Sequence, residues 1–190
     1  MTAKNHSAVG WIARTAMGIA LIIAAQLIGK LFPAGAILVG SFGVNQLVTG
    51  SLVNCVLFVF TAISGLSSGV VIGIVSAMLA QFIGIGPAVS AISPVVAVGN
   101  AILCVVFALI LGRERSYNAR AWFAMVIAAV VKCAFLWIAV PALLGVLAGV
   151  KPQQVQMLSI MFSWPQGCTA LIGGVLASLI VPRLWKARRF

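Results

Sequence analysis

The sequence predicts an all-α integral membrane protein, a single transmembrane domain over residues 1–190 built as a bundle of about six helices with both termini in the cytoplasm. Three observations carry this prediction. Hydrophobic residues make up 63% of the 190 and charged residues only 7%, where a soluble domain carries about a quarter charged. The apolar residues fall in long continuous runs, not in the alternating pattern of a transmembrane barrel. The basic residues sit at the ends of those runs, where membrane topology places them.

The first span is expected over residues 14–29. Lys30-Leu31-Phe32-Pro33-Ala34-Gly35 then breaks the helix, because Pro and Gly stop helical runs. Residues 36–45 are apolar but too short to cross alone, and a structured loop or a half-helix suits them. Span two is expected over 46–63 and is followed by a tight turn, Ser64-Gly65-Leu66-Ser67-Ser68. Span three covers 69–83 and ends at Gly84-Ile85-Gly86-Pro87. Ser93-Pro94 opens span four, which reaches 112, and 113–120 is an aqueous loop. Span five covers 121–147, with a kink expected at Pro141. Residues 151–166 read as an amphipathic outer segment. Span six covers 167–181 and gives way to Pro182 and a basic tail.

Lysine and arginine set the orientation. With the N-terminus in the cytoplasm, that side holds Lys4, Arg14, Arg113, Arg115, Arg120, Arg183, Lys186, Arg188 and Arg189, while the outer side holds Lys30 and Lys151. The bias requires an even number of spans, so it supports six. The net charge of +11 reflects missing acids, since Glu114 is the only one. It forms no basic stripe interleaved with aromatics, and nucleic acid is not an expected partner. Cys55, Cys104, Cys133 and Cys168 are spread through apolar segments, contain no CxxC pair and imply no disulfide framework.

Acid–base catalysis needs titratable groups paired within reach of a substrate. The chain has no Asp, one Glu in a basic loop and one histidine, His6, near the N-terminus. Neither an enzyme nor a metal or cofactor site is expected. Ion-coupled carriers commonly place carboxylates within the membrane, and ATP-driven ones carry a phosphate loop; this sequence has neither. Uphill transport would draw its energy from another polypeptide.

Three sets of residues stand out as candidates for function. Ala16, Ala20 and Ala24 are four apart and share one face of span one; Gly69, Gly73 and Ala77 do the same on span three. Such faces let a second helix approach closely, within the bundle or from a partner. Lys132 lies in the middle of span five, where a charge costs about 2.5–3.5 kcal/mol on insertion scales. A pocket with an anionic ligand, snorkelling, or a partner contact would each relieve that cost. The amides Gln26, Asn45, Gln46, Asn54, Gln81, Asn100 and Gln166 need hydrogen-bond partners in lipid. Some are expected to bond across helices. Asn45, Gln46, Asn54, Gln81, Asn100 and Gln166, with Lys132, Trp137 and Trp164, are the candidate lining of an outward-facing pocket, although Trp164 also suits an interfacial belt. The irregular stretches 32–45 and 84–94 suit a cavity wall on the outer side.

The six short-looped helices, the absent energy machinery and the Ala-x-x-x-Ala run together resemble the S components of energy-coupling factor (ECF) transporters. Thr49-Gly50-Ser51-Leu52-Val53-Asn54, Gly84-Ile85-Gly86-Pro87, Pro94 to Asn100 and Phe162-Ser163-Trp164-Pro165-Gln166 look like one subgroup of that family. The resemblance spans nearly the whole chain. It implies a plasma-membrane subunit that captures a vitamin or related micronutrient outside the cell. Such a subunit delivers its solute through a transmembrane coupling protein driven by two ATPase subunits, as part of an ABC importer. It implies that Ala16, Ala20 and Ala24 dock on the coupling protein. Lys132 is compatible with pantothenate or another carboxylate-bearing vitamin; a bulky corrinoid precursor is a further ligand type of the family. The competing readings are a stand-alone channel or facilitator and a non-transport membrane scaffold.

Overall fold

The computed structural model describes residues 2–32, 37–39, 42–84, 86–112 and 118–187, with backbone only for 2–7 and 37–39. The element order is α1 (Thr2–Gly29), β1 (Ile37–Val39), β2 (Phe42–Gly43), α2 (Val44–Ser64), α3 (Leu66–Phe82), α4 (Ile92–Leu111), α5 (Ala119–Val146), α6 (Pro152–Met161) and α7 (Trp164–Ala187). Five helical stretches are long and apolar enough to cross a membrane, so the chain is a multi-pass membrane protein. They include residues 8–29 of α1, all of α2, α4 and α5, and the run that ends in α7. Helix α3 is equally apolar but has 17 residues, about 26 Å at 1.5 Å per residue, against a hydrocarbon core of about 30 Å. The expected six-helix bundle is therefore five full-length helices and one shorter one.

These six helices close a ring in which α1 meets α3, α3 meets α4, α4 meets α5, α5 meets α7, α7 meets α2 and α2 returns to α1. Helix α2 also reaches α3 and α4 across the interior. Close approach at glycine permits the tightest of these contacts. A Cβ on Gly173 of α7 would lie 2.7 Å from the backbone of Ser51 and Cys55 in α2. On α3, Gly73 faces Asn100 and Leu57, and Gly69 faces Thr61 and Cys104. The small face of span three is thus spent inside the bundle.

Helices α1 and α3 run parallel. Around the middle of α1 and the start of α3, Trp11 donates its indole N–H to Ser67, and the hydroxyls of Thr15 and Ser68 lie 2.9 Å apart. Near their ends, Gln26 donates to the Ser76 carbonyl and Lys30 to the Ile83 carbonyl. The short α6 packs on α5 and α7 at the same end of the bundle as the hairpin.

Several boundaries differ from expectation: α1, expected from residue 14, begins at Thr2, and α7, expected from 167, begins at Trp164. In the 36–45 stretch the described residues form an antiparallel β1–β2 pair, with Ile37 opposite Gly43 and Val39 opposite Phe42, which is the structured loop and not the half-helix. Helix α2 starts at Val44, two residues early. The expected turn at 64–68 contracts to Gly65, whose φ of +94° suits glycine alone, and α3 begins at once. Pro182 does not end the last helix, which continues to Ala187; Pro141 likewise lies within α5.

The interior is layered. Toward the α7 C-terminal end, one apolar cluster joins Leu57, Phe58, Leu103, Phe107, Met125 and Val181, with the Phe58 and Phe107 rings edge to face at 4.9 Å. Toward the hairpin end, a second cluster joins Ile92, Leu136, Val140, Leu144, Leu158 and Phe162. Polar side chains occupy the level between them.

Candidate functional site

Lys132 is the middle of that polar level. Its position near the midpoint of α5 sets its depth, and it is only 2% exposed. Asn54 lies at the centre of α2 and Asn100 near the centre of α4, and both are buried. The Lys132 ammonium donates to Asn54 Oδ1 and to Asn100 Oδ1, each at 2.7 Å. Neither amide is free to turn away. Asn54 Nδ2 donates to the Gly50 carbonyl at 2.8 Å and to the Thr169 hydroxyl at 3.4 Å. Asn100 Nδ2 donates to the Gly73 carbonyl at 3.2 Å. A flip would set oxygen against oxygen, so the carbonyl ends are held toward the cation. One lysine thereby links α5, α2 and α4 directly, and α3 and α7 through the amides.

Both partners of Lys132 are neutral. Their dipoles offset part of the desolvation of the ammonium, but among the described residues no counter-charge balances it, and a buried charge without one is costly. An ammonium also has three donors, and two are used here.

Beside this network lies a cavity of about 220 Å³. An apolar cavity of about 150 Å³ holds benzene, so this one is sized for a small organic molecule. Its wall includes Lys132, Asn54 and Asn100 at mid-depth. Toward the hairpin end the wall is made by Gln26, Asn45, Gln46, Thr49, Pro87, Met161, Phe162 and Gln166. Gln46 stands eight residues before Asn54 on α2, about 12 Å higher along the axis. The cavity therefore extends from the centre of the bundle toward the end formed by the hairpin, the α3–α4 connection and α6.

The upper wall is arranged by backbone carbonyls. Gln46 Nε2 donates to the Met161 carbonyl at 2.7 Å, and Gln166 Nε2 donates to the same oxygen at 3.3 Å. Met161 ends α6, where carbonyls lack helical partners, which is why two amides converge there. Gln26 Nε2 lies 3.5 Å from the Ser76 carbonyl. The side-chain oxygens of Gln26 and Gln46 and the Thr49 hydroxyl are buried without a hydrogen-bond partner. Leaving such a group unpaired costs about 1–3 kcal/mol.

Six of the nine expected lining residues, Asn45, Gln46, Asn54, Asn100, Lys132 and Gln166, share this cavity. Three do not. Gln81 turns away to accept a hydrogen bond from Ser93 at 2.9 Å beside Gly86; it braces the α3–α4 connection. Trp137 is 56% exposed on the outer face of α5, where it borders a separate apolar hollow with Cys133 and Leu171. The helical period sets Trp137 on the side away from Lys132. Trp164 is partly exposed and stacks edge-on against Phe42 at 5.3 Å, tying α7 to the hairpin. In their place the cavity recruits Gln26, Thr49, Ser76, Ser93 and Phe162. Gln26 is one of the amides that the sequence singles out, and Thr49 and Phe162 fall in stretches that carry the family resemblance; nothing in the sequence marks Ser76 or Ser93 individually as lining.

The alanines of α1 lie on its uncovered side. Ala16, Ala20 and Ala24 are exposed, as are Met17, Leu21 and Leu27. The opposite side, with Thr15, Gly18, Ile22 and Gln26, packs on α2 and α3.

Compared with known protein families, with curated proteins and with solved structures, the chain matches none.

Proposed function

We propose that this protein is a membrane-embedded solute-binding subunit that captures a small anionic, vitamin-like molecule from outside the cell. The observation that carries this reading is the buried ammonium of Lys132, held on the cavity wall by two neutral amides and lacking a counter-charge. An anion entering the cavity would supply the missing charge and an acceptor for the third donor.

The layered interior favours a binding site over a conduit. Beyond the lysine network, Leu57, Phe58, Leu103 and Phe107 are completely buried in contact with one another. A solute reaching Lys132 from the hairpin end meets packed side chains, which argues against a stand-alone channel. The basic bias supports a reading with the hairpin end outside and both termini in the cytoplasm, and on this proposal the membrane is the plasma membrane.

The S component of an ECF-type importer is the transport role that these features suit. Such a subunit needs an outward-facing pocket, no ATP site of its own, and a small-residue face through which a coupling protein and its two ATPases act. The exposed Ala16, Ala20 and Ala24 supply that face.

The test is native mass spectrometry of the detergent-purified protein, with any retained molecule released and identified. A stoichiometric carboxylate- or phosphate-bearing compound is expected. A cavity that stays empty after incubation with a panel of vitamins would overturn the reading in favour of a facilitator or scaffold.

A further inference from the structure

The cavity wall is chemically different at its two levels. At mid-depth it offers a cation, Lys132, whose Asn54 and Asn100 partners are locked by backbone carbonyls. Gln26, about one helical turn above that level, and Gln46, at the hairpin end, present the reverse. Each commits its NH2 group to a carbonyl, of Ser76 and Met161 respectively, so the amide orientation is fixed by what it donates to. Each carbonyl oxygen is left buried and unpaired. Gln26 is itself 6% exposed. Each oxygen is thereby left as an acceptor for a donor arriving in the cavity.

Resting on the anion-binding reading above, we propose that the ligand is a bipolar small molecule, an acid whose carboxylate meets Lys132 and whose opposite end carries hydroxyl or N–H donors for Gln26 and Gln46. A simple fatty acid would satisfy the ammonium and leave the two glutamine oxygens unpaired. A neutral amide would do the reverse. The separation of the two levels, with Gln46 about 12 Å from Asn54 along α2, calls for an extended molecule with its polar groups at opposite ends.

Three six-carbon compounds separate these demands: adipic acid monoamide, with a carboxylate and a primary amide; hexanoate, with the carboxylate alone; and hexanamide, with the amide alone. Ligand that binds only the folded protein raises its melting temperature with the logarithm of one plus the ratio of ligand concentration to Kd, so thermal shift on the purified full chain at matched concentrations reads all three without a labelled ligand. The monoamide is expected to bind at least about 100-fold more tightly than hexanoate, the kind of margin by which a site built for a donor rejects an analogue lacking it. A Gln26→Met, Gln46→Met variant is expected to erase that margin.

Equal affinity for monoamide and hexanoate would overturn the bipolar ligand and leave the anion reading standing. Equal affinity for monoamide and hexanamide would overturn the anion reading itself. No stabilisation by any of the three would overturn both. The wild-type comparison decides the matter even if the double variant fails to fold.

Discussion

The Lys132 ammonium and the Asn54 carbonyl oxygen, 2.7 Å apart, join α5 to α2 near the midpoint of both helices. Asn100 repeats the bond from α4 at the same distance. A hydrogen bond to a charged group contributes about 1.5–3 kcal/mol. Replacement of Asn54 by Leu would leave the buried cation with a single partner, and the Thr169 and Gly50 contacts would go with it. Asn54→Leu is therefore expected to lower stability by about 2–3 kcal/mol, read by thermal unfolding in detergent. An unchanged melting temperature would mean that Lys132 draws its stabilisation from elsewhere.

Asn100→Asp should separate stability from binding. The new carboxylate would form an ion pair with Lys132, offsetting the loss of the amide bond to Gly73. Stability is expected to stay within about 1 kcal/mol of wild type. Binding of an anionic solute should fall by at least about 100-fold, because the site then holds its own counter-charge and repels a second. Calorimetric titration with the solute released from the wild-type protein checks this, and unchanged affinity would remove Lys132 from the site.

The apolar runs, their Gly and Pro interruptions and the central placement of Lys132 were legible in the sequence, because a spanning helix is a long local signal. The bonds from Lys132 to Asn54 and Asn100 were not. They join residues 78 and 32 positions apart, and no local pattern reports which amide faces which helix. The same limit misplaced Trp137, five residues after Lys132, about 500° around the helix and so some 140° away from it. Gln81 is placed in the pocket by depth alone, although a serine in the first turn of α4 claims it. The β1–β2 pair went unseen because strands of three and two residues carry no period to detect. Pro182 was read as a stop because proline removes one backbone donor, yet α7 tolerates that loss and continues one turn past it.

Two glycines should respond oppositely to alanine. A Cβ on Gly173 would come within 2.7 Å of α2 backbone atoms, which cannot rotate aside. Gly173→Ala is expected to cost about 1–3 kcal/mol through forced separation of α2 and α7. Gly145, inside α5, has nothing within 4 Å of its Cβ position. Gly145→Ala should gain up to about 1 kcal/mol from helix propensity. Equal melting temperatures for the two variants would contradict the packing at the α2–α7 contact.

The basic bias makes a topological prediction. Lys151, exposed before α6, and Lys186, exposed near the end of α7, should face opposite sides of the membrane. In a variant lacking the four native cysteines, Lys151→Cys should react with a membrane-impermeant maleimide on intact cells. Lys186→Cys should react only after permeabilisation. The reverse pattern would turn the cavity toward the cytoplasm and end the case for capture from outside.

The exposed alanine face of α1 tests the transport role apart from the cavity. Ala16 and Ala20 lie on the side of α1 that no other helix covers, whereas Thr15 and Ile22 on the other side are packed against the bundle. Tryptophan at both alanine positions would add bulk into lipid without touching the interior, so folding and the cavity should survive. A coupling protein that packs closely on this face would be held off, since such contacts depend on small side chains. The Ala16→Trp, Ala20→Trp variant is therefore expected to keep its ligand-dependent thermal shift. Under the proposed transport role, ATP hydrolysis should co-purify with the tagged wild-type chain from native membranes, and the variant is expected to lose both this and uptake. Uptake that persists in the variant would favour a self-sufficient facilitator. Loss of both binding and uptake would mean that this face supports the bundle itself, and the partner would have to dock elsewhere.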